Sequence, residues 1–235
     1  MLKKLFYNRT LVISVFVVLI IALTVVGLGP LIYSMIAGPG VTTEPLDDSR
    51  AKEASTDVNG QWRVGDGTAP NFTSVGFSFN EVLPAERRLT SGSTTAVDGE
   101  IEVTDQEVTE GSIKVLMEDL TTDKTVRDQN MKSKLFETDK FPEAFFKLTA
   151  PVDLSSVPED GTKGKVTMEG ELTIKDATQE IKQDFDVLRD GEHLVIGGAI
   201  PINRLDYNVK TPEFLAAKVA EEGDVNILIS FKKQD

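Results

Sequence analysis

Two hydrophobic patterns divide this chain. From Thr10 to Gly38 no side chain is charged and most are apolar; Lys3, Lys4 and Arg9 precede the run, and the first acid, Glu44, follows it. A helix needs about 20 apolar residues to cross the hydrocarbon core, and this run supplies them. Backbone groups in lipid must pair within the segment, so the expectation is one transmembrane helix over residues 10–37. The basic flank, residues 1–9, belongs on the cytoplasmic side and the rest of the chain outside. The rival reading is a cleaved secretory signal, whose apolar core runs only about 7–15 residues before a small-x-small site. The best exit here, Ser34-Met35-Ile36-Ala37-Gly38, has Met35 where a small residue is wanted. Length therefore favours an uncleaved signal-anchor.

From Trp62 onward the period is two. In Lys165–Lys175, Val166, Met168, Gly170, Leu172 and Ile174 share one face, while Lys165, Thr167, Glu169, Glu171 and Thr173 share the other. That is a long strand with one buried face and one wet face. The pattern recurs at Val75-Phe77-Phe79, at Leu194-Ile196-Gly198-Ile200-Ile202 and at Val225-Ile227-Ile229-Phe231. Weaker versions run through Thr94–Val103, Ile113–Leu120, Ala144–Leu148 and Ile181–Val187. Asp190-Gly191 joins two of these runs and is a strong hairpin signal. Strands follow strands without crossover helices, so the sheet is expected to be antiparallel. Two stretches read as short helices, Val126–Phe136 with Thr122 or Thr125 as cap, and Thr211–Ala220 with Pro212 at its first position.

About eight such strands solve their edge problem by closing into a barrel, just wide enough to fill with side chains or to hold one slender ligand. By alternation Phe77, Phe79, Met168, Leu172, Ile196, Ile200 and Ile227 point inward. Met117, Met131, Phe136 and Phe146 are candidate wall or mouth residues. Gly170 and Gly198 fall in inward register, where they either leave room in the lumen or relieve bending strain.

Composition narrows the function. Without the anchor about 195 residues remain, enough for one large domain. Residues 38–59, rich in Pro, Ser and acids, read as a flexible linker, and residues 60–235 as the domain. Setting aside Lys3, Lys4 and Arg9 leaves 22 basic residues against 38 acidic ones. That balance argues against nucleic acid and against docking flat on anionic lipid. The absence of Cys removes disulfides, thiol catalysis, cysteine-ligated metal and a cysteine-linked lipid.

Catalytic chemistry is sparse. The one histidine, His193, follows a turn, and no HExxH, GxSxG, P-loop or GxGxxG motif is present. Asp184 and Asp186 face away from Phe185 and Val187; Glu221, Glu222 and Asp224 read as a wet turn; Asp119, Asp123 and Asp128 match no cation-loop spacing. No metal site, catalytic residue or cofactor is assigned. Two charged spots stand out: Arg127-Asp128 begins the first helical stretch just after a strand, and Arg204 and Asp206 interrupt an apolar strand. Either they are ion pairs fixing loops at the barrel rim, or one orients a polar ligand head.

These residues also carry a resemblance. Arg127-Asp128-Gln129-Asn130-Met131, then Phe136, then Phe141-Pro142-Glu143-Ala144-Phe145-Phe146 resembles the RD-x-x-(hydrophobic) … (aromatic)-P-x-(small)-x-F signature of the YceI-like family. Gly170-Glu171-Leu172-Thr173-Ile174-Lys175 is similar to its G-x-L-T-(aliphatic)-x motif, and Ile202-Asn203-Arg204-Leu205-Asp206-Tyr207 to its (aliphatic)-x-R-x-D-(aromatic) motif. Gly223-Asp224-Val225 also fits, and the likeness runs in order from Gln61 to Lys233. The chain departs where members often carry a His-Ser pair, of which only Ser74 is kept, and in Gly92-Ser93-Thr94-Thr95, where a G-x-F is usual.

The resemblance implies an all-β, lipocalin-like antiparallel barrel in the bacterial envelope, from a family associated with long isoprenoid chains held in an apolar tunnel. The expectation is thus a non-catalytic barrel of about eight strands with short helices, preceded by one N-terminal transmembrane helix. Its partners would be the membrane, through that helix, and a long-chain lipid or quinone. The alternative is an interaction domain with a filled barrel, whose acidic outer face binds a protein. A hydrolase or isomerase is disfavoured by the missing nucleophile–base set.

Overall fold

The structure is a computed structural model that describes residues 13–14, 16–20, 41–82, 87–211 and 218–234. The chain divides into two units, Met1–Gly38 and Pro39–Asp235. In the first, residues 13–14 and 16–20 are helical. The remainder of the segment expected to span the membrane lies outside the described residues, among which no helix is long and apolar enough to cross one.

The second unit is built of strands: β1 (Gly60–Gly65), β2 (Gly67–Thr68), β3 (Asn71–Phe72), β4 (Ser74–Val82), β5 (Arg87–Thr94), β6 (Val97–Thr104), β7 (Glu107–Leu116), β8 (Glu143–Leu148), β9 (Val152–Asp153), β10 (Gly164–Ile174), β11 (Ala177–Asp190), β12 (His193–Asn203) and β13 (Lys218–Lys233). Eight of them, β1-β6-β7-β8-β10-β11-β12-β13, close into an antiparallel barrel as β13 pairs back onto β1. The far edge of β13 is shared. Ser230–Lys233 pair with β1, while the stretch from Lys218 to Leu228 pairs with β4, which in turn pairs with β5. β5 makes a further bridge from Ser93 to Thr121.

Alternation fixes the register as expected. Along β10, Val166, Met168, Leu172 and Ile174 are buried while Lys165, Thr167 and Glu171 are exposed, and all eleven residues pair with β11. The β11–β12 hairpin turns at Gly191, whose φ of +58° suits glycine. A one-residue slip in any of these strands would turn the apolar set to solvent.

The helical expectations are partly revised. The first stretch is an α-helix, α1 (Thr125–Asn130), that widens into a π-helical turn at Met131–Phe136. Met131 and Phe136 are both buried, so their five-residue spacing, awkward for an α-helix, is the spacing of the wider turn. Neither Thr122 nor Thr125 caps α1, which begins after Lys124 without a side-chain cap. Of the second stretch, residues 212–217 lie outside the described residues, and Lys218–Ala220 are strand. Val219 pairs with Glu81, and the Val219 and Ala220 carbonyls accept from Arg204, so the local helix signal yields to tertiary pairing. Glu221, Glu222 and Asp224 are not in a turn but inside β13, where the register with β4 shifts between Val219 and Gly223.

Residues 41–59 are not a loose linker. Leu46 is buried on the outside of the barrel with Leu188, Val195 and Leu228, and Val58 joins the main core. Ala54 N–H donates to the Glu159 carbonyl, Lys52 N–H to Asp190, and Arg189 to the Thr56 carbonyl. Asp47 and Asn71 exchange hydrogen bonds of 2.9 and 2.8 Å. Composition pointed to disorder because the segment has few apolar residues. Of those it has, Leu46 and Ala51 cover outward-facing apolar positions of β11, β12 and β13.

Candidate functional site

The inward faces enclose a slender apolar cavity of about 150 Å³. Along β12 its wall runs from Ile196 to Ile202, and along β13 from Val225 to Phe231. Six residues of strand rise make that span about 20 Å. Phe77, Phe79, Met168, Leu172, Ile196, Ile200 and Ile227, taken as inward from alternation, line it, and so do Met117, Phe136 and Phe146 of the wall or mouth candidates. Met131 is buried but is not at the wall. The sequence reading missed Phe185, Val209 and Tyr207. Phe185 was legible from its alternation with Val187; Val209 and Tyr207 flank a 3-10 turn, Arg204–Tyr207, that breaks the period-two count.

The two lumen glycines need a correction. Neither leaves room. The Phe146 ring lies where a Cβ on Gly170 would project, and the Lys147 carbonyl is 2.6 Å from that position. A Cβ on Gly198 would sit 2.8 Å from Cδ1 of Phe185. The same arrangement recurs at Gly92, under Phe77, and at Gly223, under Phe79. A missing side chain on one strand thus accommodates an aromatic ring from its neighbour. Phe77 stacks obliquely on Phe79 and Phe136, with centroids 6.1 and 5.9 Å away.

The charged candidates divide by position. Arg204 lines the cavity and is only 6 % exposed. It is not in an ion pair with Asp206, which is exposed. Instead Nε donates to the Ala220 carbonyl at 3.0 Å, one terminal nitrogen to Val209 at 2.7 Å and the other to Val219 at 3.3 Å. Burial pulls its guanidinium below the ordinary value, and Glu221 partly offsets this. Three backbone carbonyls stand where the sequence suggested an acid, that of Val209 just after the Arg204–Tyr207 turn and those of Val219 and Ala220 near the start of β13.

Arg127 and Asp128 stay away from the cavity. Arg127 pairs with Asp123, which also meets Arg88 at 3.3 Å. Asp128 accepts from the Thr122 backbone at 2.7 Å and from its hydroxyl at 2.6 Å. The two are not paired with each other: each instead ties to a residue of the loop between β7 and α1, Arg127 to Asp123 and Asp128 to Thr122. A second polar tie involves Glu137, just after the π-turn. It binds Lys140 and Lys175, each at 2.7 Å, and Lys175 reaches the Asn208 carbonyl at 3.2 Å. Hydrogen bonds from Lys140 and Lys175 bring the Glu137 carboxyl down to about 2.

Among the buried residues of the cavity wall only Arg204 and Tyr207 carry polar side chains. Such a wall can hold apolar matter and offers no nucleophile–base pair.

Comparison with known proteins agrees with this geometry. The sequence model of the YceI-like domain matches residues 68–231. Burkholderia cenocepacia BcnA is similar in structure, with a TM-score of 0.54 at 18 % identity over 67 % of this chain and 94 % of that one. A polyisoprenoid-binding domain from Saccharophagus degradans superposes with a TM-score of 0.55 at 17 % identity, over 74 % of this chain and 98 % of that one. No curated protein matches the chain.

Proposed function

The chain belongs to the YceI-like family, and from that premise we propose that it is a non-catalytic binding protein that holds a long apolar, isoprenoid-type lipid in its barrel. The observation that carries the reading is the cavity wall, apolar along about 20 Å of strand, whose only buried polar side chains among the described residues are those of Arg204 and Tyr207. Moving apolar surface out of water supplies about 0.8 kcal/mol per CH₂, so a chain of many methylenes binds without catalytic groups. The Saccharophagus relative, described as polyisoprenoid-binding, supports the same ligand class. A void of 150 Å³ admits roughly one benzene-sized group. A longer chain enters by displacing rings, and Phe77, Phe79 and Phe146 are the ones to move.

The reading includes a tether. The uncharged run at 10–37 behind a basic flank supports a single-pass anchor with the acidic domain outside the cell membrane. Anchoring raises the effective concentration of the domain beside a bilayer, where isoprenoid lipids reside. Protein that resists carbonate extraction and loses its domain to external protease supports this; a mature form starting near Gly38 and free in the medium overturns it.

The small cavity and ring-filled glycines favour a second reading, a solid barrel whose acidic face binds a protein, since ligand pockets usually enclose about 300–1,000 Å³. Mass spectrometry of organic extracts from the purified full-length chain separates the two. An isoprenoid-type chain in stoichiometric amount supports lipid binding. No extractable lipid, and none taken up on incubation with isoprenoid-loaded vesicles, leaves the filled barrel.

A further inference from the structure

Residues 41–59 run along the outside of the barrel in one direction. The Thr43 hydroxyl is hydrogen-bonded to that of Ser93 in β5 at 2.9 Å, and it lies over Gly76 of β4, where a Cβ would come 2.9 Å from its Oγ1. Leu46 then packs on Val195 and Leu228, and the Lys52 N–H reaches Asp190 beside the β11–β12 turn. Asn59 accepts from the Gln106 N–H at the turn joining β6 to β7. The chain therefore meets the domain on the β4–β5 hairpin and travels toward the end that carries those two turns. Ser93 is level with Gly76, Asn226 and Ala199. From Ala199 back to His193, at the β11–β12 turn, is about 20 Å of strand.

Held this way, the segment cannot act as a long tether. Five residue steps separate Gly38, where the uncharged run ends, from Thr43, and they reach at most about 18 Å. A free linker over all of 38–59 would reach about 75 Å. The same corner of the domain carries exposed apolar side chains. Arg88 of β5 and Arg127 of α1 both pair with Asp123, and their sequence neighbours Leu89 and Val126 are 41 % and 69 % exposed. Val126 is the most exposed large apolar side chain among the described residues, and Val41, two residues before Thr43, is 43 % exposed. Exposed apolar side chains gathered at one place mark an interaction site.

We propose that the corner formed by the β4–β5 hairpin and the start of α1 docks on the outer surface of the bilayer that anchors the chain. Val41, Leu89 and Val126 enter the lipid interface, and the end bearing the β11–β12 and β6–β7 turns faces away. Arg88 and Arg127 are committed to Asp123, so the contact is apolar and does not call for anionic headgroups. The hairpin that brings Phe77 and Phe79 to the cavity is then the wall nearest the membrane. The docking rests on the single-pass anchor proposed above and adds to it an orientation.

The chain has no Cys, so one label can be placed at a time. Full-length Val41→Cys, Leu89→Cys, Val126→Cys and Glu192→Cys, each carrying bimane, are reconstituted in phosphatidylcholine vesicles with and without nitroxide-headgroup phosphatidylcholine. All four positions are exposed, so the fold tolerates the changes, and an unchanged melting temperature verifies this. Leu89→Cys and Val126→Cys should lose most of their fluorescence to the nitroxide lipid, as Val41→Cys does beside the tether, while Glu192→Cys in the β11–β12 turn keeps nearly all of its own. High salt should leave the quenching unchanged, because apolar contacts are not screened. Quenching at Val41 alone leaves the corner open to a protein partner and overturns the docking. Equal quenching at all four sites, strongest quenching at Glu192, or loss of quenching in high salt overturns it as well, with the anchor intact. Release of the wild-type chain from the vesicles by carbonate overturns the anchor and the docking together.

Discussion

Arg204→Met isolates the part that guanidinium plays in the fold. Methionine keeps a long apolar stem along the cavity wall but removes every donor. The carbonyls of Val209, Val219 and Ala220 then lose their side-chain partner in a region where Arg204 itself is 6 % exposed. Each hydrogen bond to a charged group contributes about 1.5–3 kcal/mol, and relief of the guanidinium's own desolvation returns part of the sum. The expected net loss is about 3–5 kcal/mol, close to that of breaking a buried pair. With a urea slope of about 2 kcal/mol/M the midpoint should fall by about 1.5–2.5 M. Trp62, buried and bonded through Nε1 to the Val58 carbonyl, gives the fluorescence signal. Asp206→Asn is the control. An Arg204–Asp206 ion pair would make it comparably costly, whereas the observed geometry puts its cost below about 0.5 kcal/mol. A midpoint shift under about 0.5 M for Arg204→Met, or equal shifts for the two variants, would refute the carbonyl-clamp account.

Other consequences are open to similar measurement. Leu46→Ala should cost about 2–5 kcal/mol in the denaturation midpoint, because Leu46 seals Leu188, Val195 and Leu228; a change under about 0.5 kcal/mol would mean that residues 41–59 are loosely held. Gly198→Ala should destabilise the unliganded protein by about 1–3 kcal/mol by forcing the Phe185 ring off the strand, and an unchanged melting temperature would contradict the ring placement. Glu137 has its carboxyl lowered from 4.5 to about 2, so its stabilising contribution is full above about 4.5 and is lost as pH falls through about 2. Glu137→Gln should flatten the fall of melting temperature over that window, and parallel curves for variant and wild type would count against the rim tie.

Much of the barrel was legible because one face is wet along much of its strand length. β10 shows this most cleanly, and β11, β12 and β13, which follow it in order round the barrel, were read from the same count. The cover of residues 41–59 was less legible, yet a signal existed in Leu194-Val195-Ile196. Consecutive apolar residues in a strand call for burial on both faces, and Val195 is the outward one. β5 was blurred for a different reason. Its buried residues include Ser91 and Ser93 while Leu89 is exposed, so hydrophobic alternation has nothing to report there. The break between β5 and β6 falls at Thr95-Ala96, where the Thr94 hydroxyl accepts from the Ala96 N–H. The clamp of Arg204 was beyond sequence reading, since its partners are carbonyls that every residue carries. Glycines in lumen register were visible, but whether a void or a ring occupies the space depends on a neighbouring strand.

The divided edge of β13 gives the barrel unequal stiffness along its axis. At one end the wall is stitched all the way round, through Trp62–Ile101 on one side of β1 and Trp62–Lys233 on the other. Toward the other end the β4–β5 hairpin completes the wall, carrying Phe77 and Phe79, and beyond its pairing with β13 it is fastened through the Ser93–Thr121 bridge. The eight residue pairs of that seam are separate from the four that close the ring between β13 and β1. The interior volume is therefore not dictated by strand number alone: it depends also on where the hairpin lies, because Phe77 and Phe79 stand on it and line the cavity.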